Sequence, residues 1–102
     1  IRFNMRINPT EKAQFIDLSQ RYFGSSSHLY LFGSRVDDTK KGGDIDLYVE
    51  TDAPVDLQKK LNFLVAVEKN ITSRKVDLIV KTPQSKPKSI YDTARKTGIL
   101  LC

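Results

Sequence analysis

The sequence predicts an α/β (α+β) fold: a small mixed β-sheet covered by helices, in a single domain over residues 1–102. Three observations carry this. Residues 44–50 and 75–81 alternate apolar and polar side chains at the period of a strand. Residues 9–23 and 51–70 repeat apolar residues at the period of a helix. The two kinds of segment interleave in the order α, β, loop, β, α, β, α, so helices can close over the apolar face of one sheet.

The first helix begins at Asn8-Pro9-Thr10-Glu11. Asn8 can cap, Pro9 suits the first helical position, and Glu11 stands where a capping-box acid belongs. Phe15, Ile16, Leu18, Tyr22 and Phe23 fall on one side, Asp17, Gln20 and Arg21 on the other, and Gly24 ends it. Ser25 to Ser27 make a turn. His28 to Phe32 is apolar after the histidine and suits a strand buried on both faces. Val36 to Gly43 is a polar loop ending in Gly42-Gly43. In Asp44 to Glu50, Ile45, Leu47 and Val49 face one way; Asp44, Asp46, Tyr48 and Glu50 face the other.

Thr51-Asp52-Ala53-Pro54 reads as the next helix start, with Leu57, Leu61, Leu64 and Val65 as the core stripe and Lys59, Lys60 and Asn62 outside. Lys75 to Lys81 is a third strand, with Val76, Leu78 and Val80 on one face and Asp77 and Ile79 on the other. Pro83 and Pro87 bracket a loop. A last helix covers about Lys88 to Thr97, with Arg95 and Lys96 in its final turn and Gly98 at its stop. Ile99 to Leu101 adds a short apolar return.

Composition narrows the function classes. Apolar residues at 39% and charged residues at 28% describe an ordinary globular domain. No apolar run approaches the roughly 20 residues that span a bilayer, and the start lacks a secretory apolar region, so no membrane role is expected. Met5 reads as a natural start, with residues 1–4 as an addition to it. The single cysteine, Cys102, rules out an internal disulfide and points to the reducing cytoplasm. The single histidine, His28, reads as a strand-edge residue. The net charge of +5 favours an anionic ligand, a nucleotide or a nucleic acid. Nucleic acid is the less favoured, because Tyr91 is the only aromatic residue after Phe63 and offers no stacking platform.

The stretch Leu31 to Glu50, LFGSRVDDTKKGGDIDLYVE, is the most informative in the chain. Gly33-Ser34 follows an apolar run and can hold phosphate oxygens with backbone N–H groups and a hydroxyl. After nine intervening residues come Asp44-Ile45-Asp46-Leu47. Carboxylates two residues apart on a strand point to one side. Asp77 faces away from its apolar neighbours on another strand and can join them. Three carboxylates that close repel one another unless cations lie between them, and hard oxygen donors suit Mg²⁺. A lone Asp-x-Asp is better explained by a solvated sheet face. Three aspartates within strands, where Asp is disfavoured, together with the Gly-Ser turn, are a more specific signal.

This pattern resembles the signature of the DNA polymerase β-type nucleotidyltransferase superfamily, and the match continues to Asp77. The short length and the closing segment Ala94 to Leu101 resemble its minimal nucleotidyltransferase branch, the antitoxin-like branch, over roughly Leu29 to Leu101. The resemblance implies a polymerase β palm-like fold and a set of roles. Asp44 and Asp46 would bind two Mg²⁺ ions, and Asp77 would complete the site nearest the attacking hydroxyl. Gly33 and Ser34 would hold the triphosphate of ATP, and Arg35 would neutralise phosphate charge. It also implies a partner, a small all-helical HEPN-type toxin that receives AMP on a hydroxyl, because this length leaves no acceptor domain. Two other functions stay open: a module that neutralises a toxin by contact alone, and nucleotidyl transfer to a small-molecule acceptor.

Overall fold

The computed structural model describes residues 8–32 and 45–102, and of Thr97 the backbone only. Seven elements follow in order: α1 (Pro9–Phe23), β1 (His28–Phe32), β2 (Ile45–Glu50), α2 (Leu57–Asn70), β3 (Val76–Lys81), α3 (Ser89–Thr97) and β4 (Ile99–Leu100). No described helix is long and apolar enough to cross a membrane.

The expected start of α1 is present. The Asn8 side chain accepts from the Glu11 amide at 2.8 Å, and the Glu11 carboxylate accepts from the Asn8 amide at 3.0 Å. Each satisfies a backbone donor that a helix end leaves unpaired. At the far end Gly24 takes φ 99°, a conformation that other residues rarely adopt.

The four strands form one mixed sheet in the order β3-β2-β1-β4. β1 runs antiparallel to β2 and to β4; β2 and β3 are parallel. A parallel pair needs a crossover, and α2 supplies it. On one face lies the main core. Phe15, Leu18 and Phe23 of α1 and Phe63 and Val67 of α2 pack on Leu29, Leu31, Ile45, Leu47, Val49 and Leu78. The Phe63 ring meets Phe23 at 5.0 Å and Tyr22 at 6.0 Å between centroids. The fold class expected from sequence is therefore the one found.

Three details differ from expectation. First, α2 starts at Leu57 with Asp56 as its cap, accepting from the Lys59 amide at 2.8 Å. Thr51 instead belongs to a buried turn, its hydroxyl donating to the Phe23 carbonyl at 3.3 Å. Second, the buried residues of α2 are Phe63 and Val67, with Leu64 and Ala66 partly covered; Leu57, Leu61 and Val65 are exposed. Phe63 and Val67 are one turn apart, and their large side chains meet α1 and the sheet together. Third, the helices do not share one face. α3 lies on the opposite side of the sheet, where Tyr91 and Ala94 pack with Tyr48, Tyr30, Phe32 and Ile79. The strands carry enough apolar residues on that face to hold a helix.

Candidate active site

The strand starts bring two of the expected carboxylates together. Asp46 is the second residue of β2 and Asp77 the second of β3, and the two stand opposite each other in the parallel register. Residues opposite one another in neighbouring strands share a face, about 4.8 Å apart along the hydrogen-bonding direction. On its other side Asp46 is opposite Phe32, the last residue of β1. Asp44, Gly33, Ser34 and Arg35 lie outside the described residues. Among the described residues no group of three or more His, Cys, Asp or Glu could hold a metal ion. The donor set Asp46 with Asp77 suits a hard cation: two carboxylates stand side by side on register-paired residues of neighbouring strands, a placement that costs free energy unless positive charge lies between or beside them.

One such positive charge comes from the chain. Lys75 Nζ lies 3.8 Å from Asp77 Oδ1, with both side chains at least half exposed. Lys75 is two residues before Asp77, so strand alternation puts them on one side. The sequence placed Lys75 only at the start of the third strand; its spacing from Asp77 was the signal that could have found it. An exposed pair of this kind adds about 0–1 kcal/mol to stability.

The rest of this face is closed by α3. Tyr48, two residues along β2 from Asp46, is fully buried. Its ring lies 5.5 Å from Tyr30 and 5.9 Å from Tyr91, centroid to centroid. Its hydroxyl donates to Glu50 Oε2 at 2.7 Å. Arg95 Nη1 stands 3.6 Å from the same oxygen, and Arg95 Nη2 donates to Asp92 Oδ1 at 2.9 Å. Burial, then the bond donated to Glu50, then the charge of that carboxylate, push the Tyr48 hydroxyl well above its ordinary range. The same network, led by the bond to Asp92 and followed by the Glu50 charge, raises Arg95.

Gly98 sets how close α3 comes to β1. Its amide donates to the Ala94 carbonyl at 2.8 Å. A β-carbon there would press into that same Ala94 oxygen and lie 3.2 Å from Phe32 Cβ and 3.3 Å from the Leu31 carbonyl. The glycine thus lets α3 end against the last two residues of β1, beside the residue opposite Asp46. On this face α3 reaches Glu50 through Arg95 and ends against Phe32, the residue opposite Asp46.

His28, at the far end of β1, is exposed, with Nδ1 3.4 Å from the Cys102 carbonyl, away from the carboxylates. It stays the strand-edge residue that the sequence suggested.

Comparison with known proteins bears on the fold and on the family. No curated protein matches the chain. A crystal structure of the toxin–antitoxin pair MntA–HepT superimposes with a TM-score of 0.71 at 18% identity, covering 93% of this chain and 72% of that one. A tri-AMPylated Shewanella oneidensis HEPN toxin in complex with its MNT antitoxin gives a TM-score of 0.70 at 19% identity, covering 96% and 72%. A toxin–antitoxin structure with AMP-PNP gives 0.70 at 21% identity, covering 89% and 72%. At these identities the likeness speaks for the fold. The family follows from a separate finding: the model of the nucleotidyltransferase domain matches residues 13–101, nearly the whole chain. The chain belongs to the nucleotidyltransferase domain family.

Proposed function

We propose that this chain is a Mg²⁺-dependent adenylyltransferase of the cytoplasm that moves AMP from ATP to a hydroxyl of a small all-helical, HEPN-type partner protein, and so acts as an antitoxin. The observation that carries the reading is the register of Asp46 against Asp77 at the starts of two parallel strands. The solved complexes support it by their own contents: one holds a tri-AMPylated HEPN toxin with its antitoxin, another holds AMP-PNP.

In this reading Asp44 and Asp46 hold the cations, and Asp77 stands nearest the acceptor hydroxyl. Magnesium, when bound, would supply the positive charge that lets these carboxylates and the triphosphate share one site. Gly33 lets the backbone approach the phosphates, Ser34 donates a hydrogen bond to them, and Arg35 offsets their charge. Asp77 orients the hydroxyl and accepts its proton as the oxygen bonds to the α-phosphorus. The bond from that phosphorus to the bridging oxygen breaks, and pyrophosphate leaves. Positioning and electrostatic stabilisation carry most of the rate.

The test is mass spectrometry of the co-expressed pair. The partner should gain mass in whole AMP units on a hydroxyl side chain, and Asp77→Asn should prevent the gain while leaving the complex intact. Neutralisation of an unmodified partner, equally by wild type and Asp77→Asn, would replace the enzyme with a contact inhibitor. Label from ATP that reached the partner despite Asp44→Asn with Asp46→Asn would remove the metal assignment.

A further inference from the structure

α2 carries more apolar surface than the core uses. Leu57 is 69% exposed, Leu61 45% and Val65 48%. They recur every four residues, so they form one stripe up the helix, with the partly covered Leu64 at its side. A single exposed leucine is ordinary; a continuous row of this kind marks a contact surface.

The margins of the stripe are positive. Lys60 is the residue before Leu61 and one turn before Leu64; Lys69 is one turn beyond Val65. At its C-terminal end the stripe runs into a groove of about 340 Å³ between α2 and the start of β3, bordered by Leu64, Glu68, Arg74, Lys75 and Val76. Lys60, Lys69 and Arg74 stand against Glu68, the acid at this border, while Lys75 is paired with Asp77.

We propose that this stripe is the docking surface for an amphipathic helix of a partner protein, a helix with an apolar seam and acidic margins. Apolar burial along Leu57, Leu61 and Val65 would supply affinity, and Lys60, Lys69 and Arg74 would choose the partner's margin charge. A second copy of this chain is the wrong occupant, because it would bring the same cations against themselves on a molecule of net charge +5. The groove ends at Val76, the residue before Asp77. A helix seated there would end at the strand starts that carry Asp46 and Asp77 but on the opposite face of the sheet, so an acceptor hydroxyl would have to reach round that end. Only that last consequence rests on the transferase reading; the docking itself stands without it.

The test uses two synthetic helical peptides with leucine at every a and d position, one with glutamate and one with lysine at e and g. Binding is read by fluorescence anisotropy, without nucleotide, so the result is separate from catalysis. The glutamate peptide should bind at least about ten-fold more tightly than the lysine peptide, and the difference should shrink with salt. Leu61→Glu should weaken the glutamate peptide by a further factor of about ten or more, with nucleotide affinity and unfolding midpoint kept. Leu57→Ser, at the most exposed position, gives a second variant should Leu61→Glu fail to fold. Lys60→Glu with Lys69→Glu should reduce or reverse the preference between peptides. Equal binding of the two peptides, or binding unaffected by both leucine variants, would overturn the proposal. A wild-type dimer in sedimentation that Leu61→Glu dissolves would also overturn it, by assigning the stripe to a second copy.

Discussion

Phe63 and Leu61 stand two residues apart on α2, and truncating each should have sharply different consequences. Phe63 is fully buried and meets the rings of Tyr22 and Phe23. Phe63→Ala removes a large apolar side chain and leaves a cavity between helix and sheet, at a cost of about 3–5 kcal/mol. A domain of this size has roughly 5–15 kcal/mol in total, and each kcal/mol moves its melting temperature by about 4–8 °C. The variant should therefore melt at least about 12 °C lower. Leu61 is nearly half exposed, so Leu61→Ala gives up only part of the roughly 1.5–3 kcal/mol of a fully buried leucine and leaves no enclosed void. Alanine is also the better helix former. The net cost should stay below about 1 kcal/mol. Urea titrations followed by circular dichroism decide between them. A loss at Leu61→Ala equal to that at Phe63→Ala would mean that α2 presents the Leu57–Leu61–Val65 side to the core, and would remove the docking surface with it.

Other perturbations test the second face. The folded chain keeps the Tyr48 proton where the unfolded chain releases it, so stability is complete below about pH 10 and falls as pH rises past that value, by up to about 1.4 kcal/mol per unit. Denaturant titrations at about pH 9 and pH 11 should show a shallower loss in Tyr48→Phe than in wild type; equal losses would mean that Tyr48 ionises freely in the folded state. Gly98→Ala should cost about 1–3 kcal/mol in thermal melts, because the new methyl meets backbone at Ala94 and Leu31; a neutral result would show that α3 can shift away from β1. Asn8→Ala should cost about 0.5–2 kcal/mol by removing the capping box of α1, and unchanged stability would mean that this helix end is held by other contacts.

The alternation in β2 and β3 made the shared face of Asp46 and Asp77 legible in the sequence, because strand periodicity fixes side. Their register was not legible, since it depends on how the α2 crossover seats β3 beside β2. The start of α1 could be read from Asn8, Pro9 and Glu11 because capping is local chemistry. The core side of α2 could not. Its apolar residues fill two adjoining arcs, Phe63 with Val67 and Leu57 with Leu61 and Val65, and periodicity does not say which arc meets the sheet. Tyr48 was read with the polar face for a related reason. Its burial comes from Tyr91 and Ala94, more than forty residues away in sequence. Of the expected site, Asp46 and Asp77 are described, and Asp44, Gly33, Ser34 and Arg35 lie outside the described residues.

The sheet carries two apolar clusters of unequal size, and they can fail separately. The larger ties α1 and α2 to the strands; the smaller rests on Tyr48, Tyr91 and Ala94 under a nine-residue helix, and the two-residue β4 that follows it is the shortest strand of the sheet. Local opening follows the weaker unit, so amides of α3 and β4 should exchange with solvent hydrogen well before those of β2. Such an opening would bare the Tyr30–Tyr48 surface without loosening the pairing of Asp46 with Asp77. The chain could thus lose its C-terminal cover and regain it as a reversible excursion within an otherwise intact sheet, and among the described elements a protease acting on native protein should cut α3 before it cuts β2.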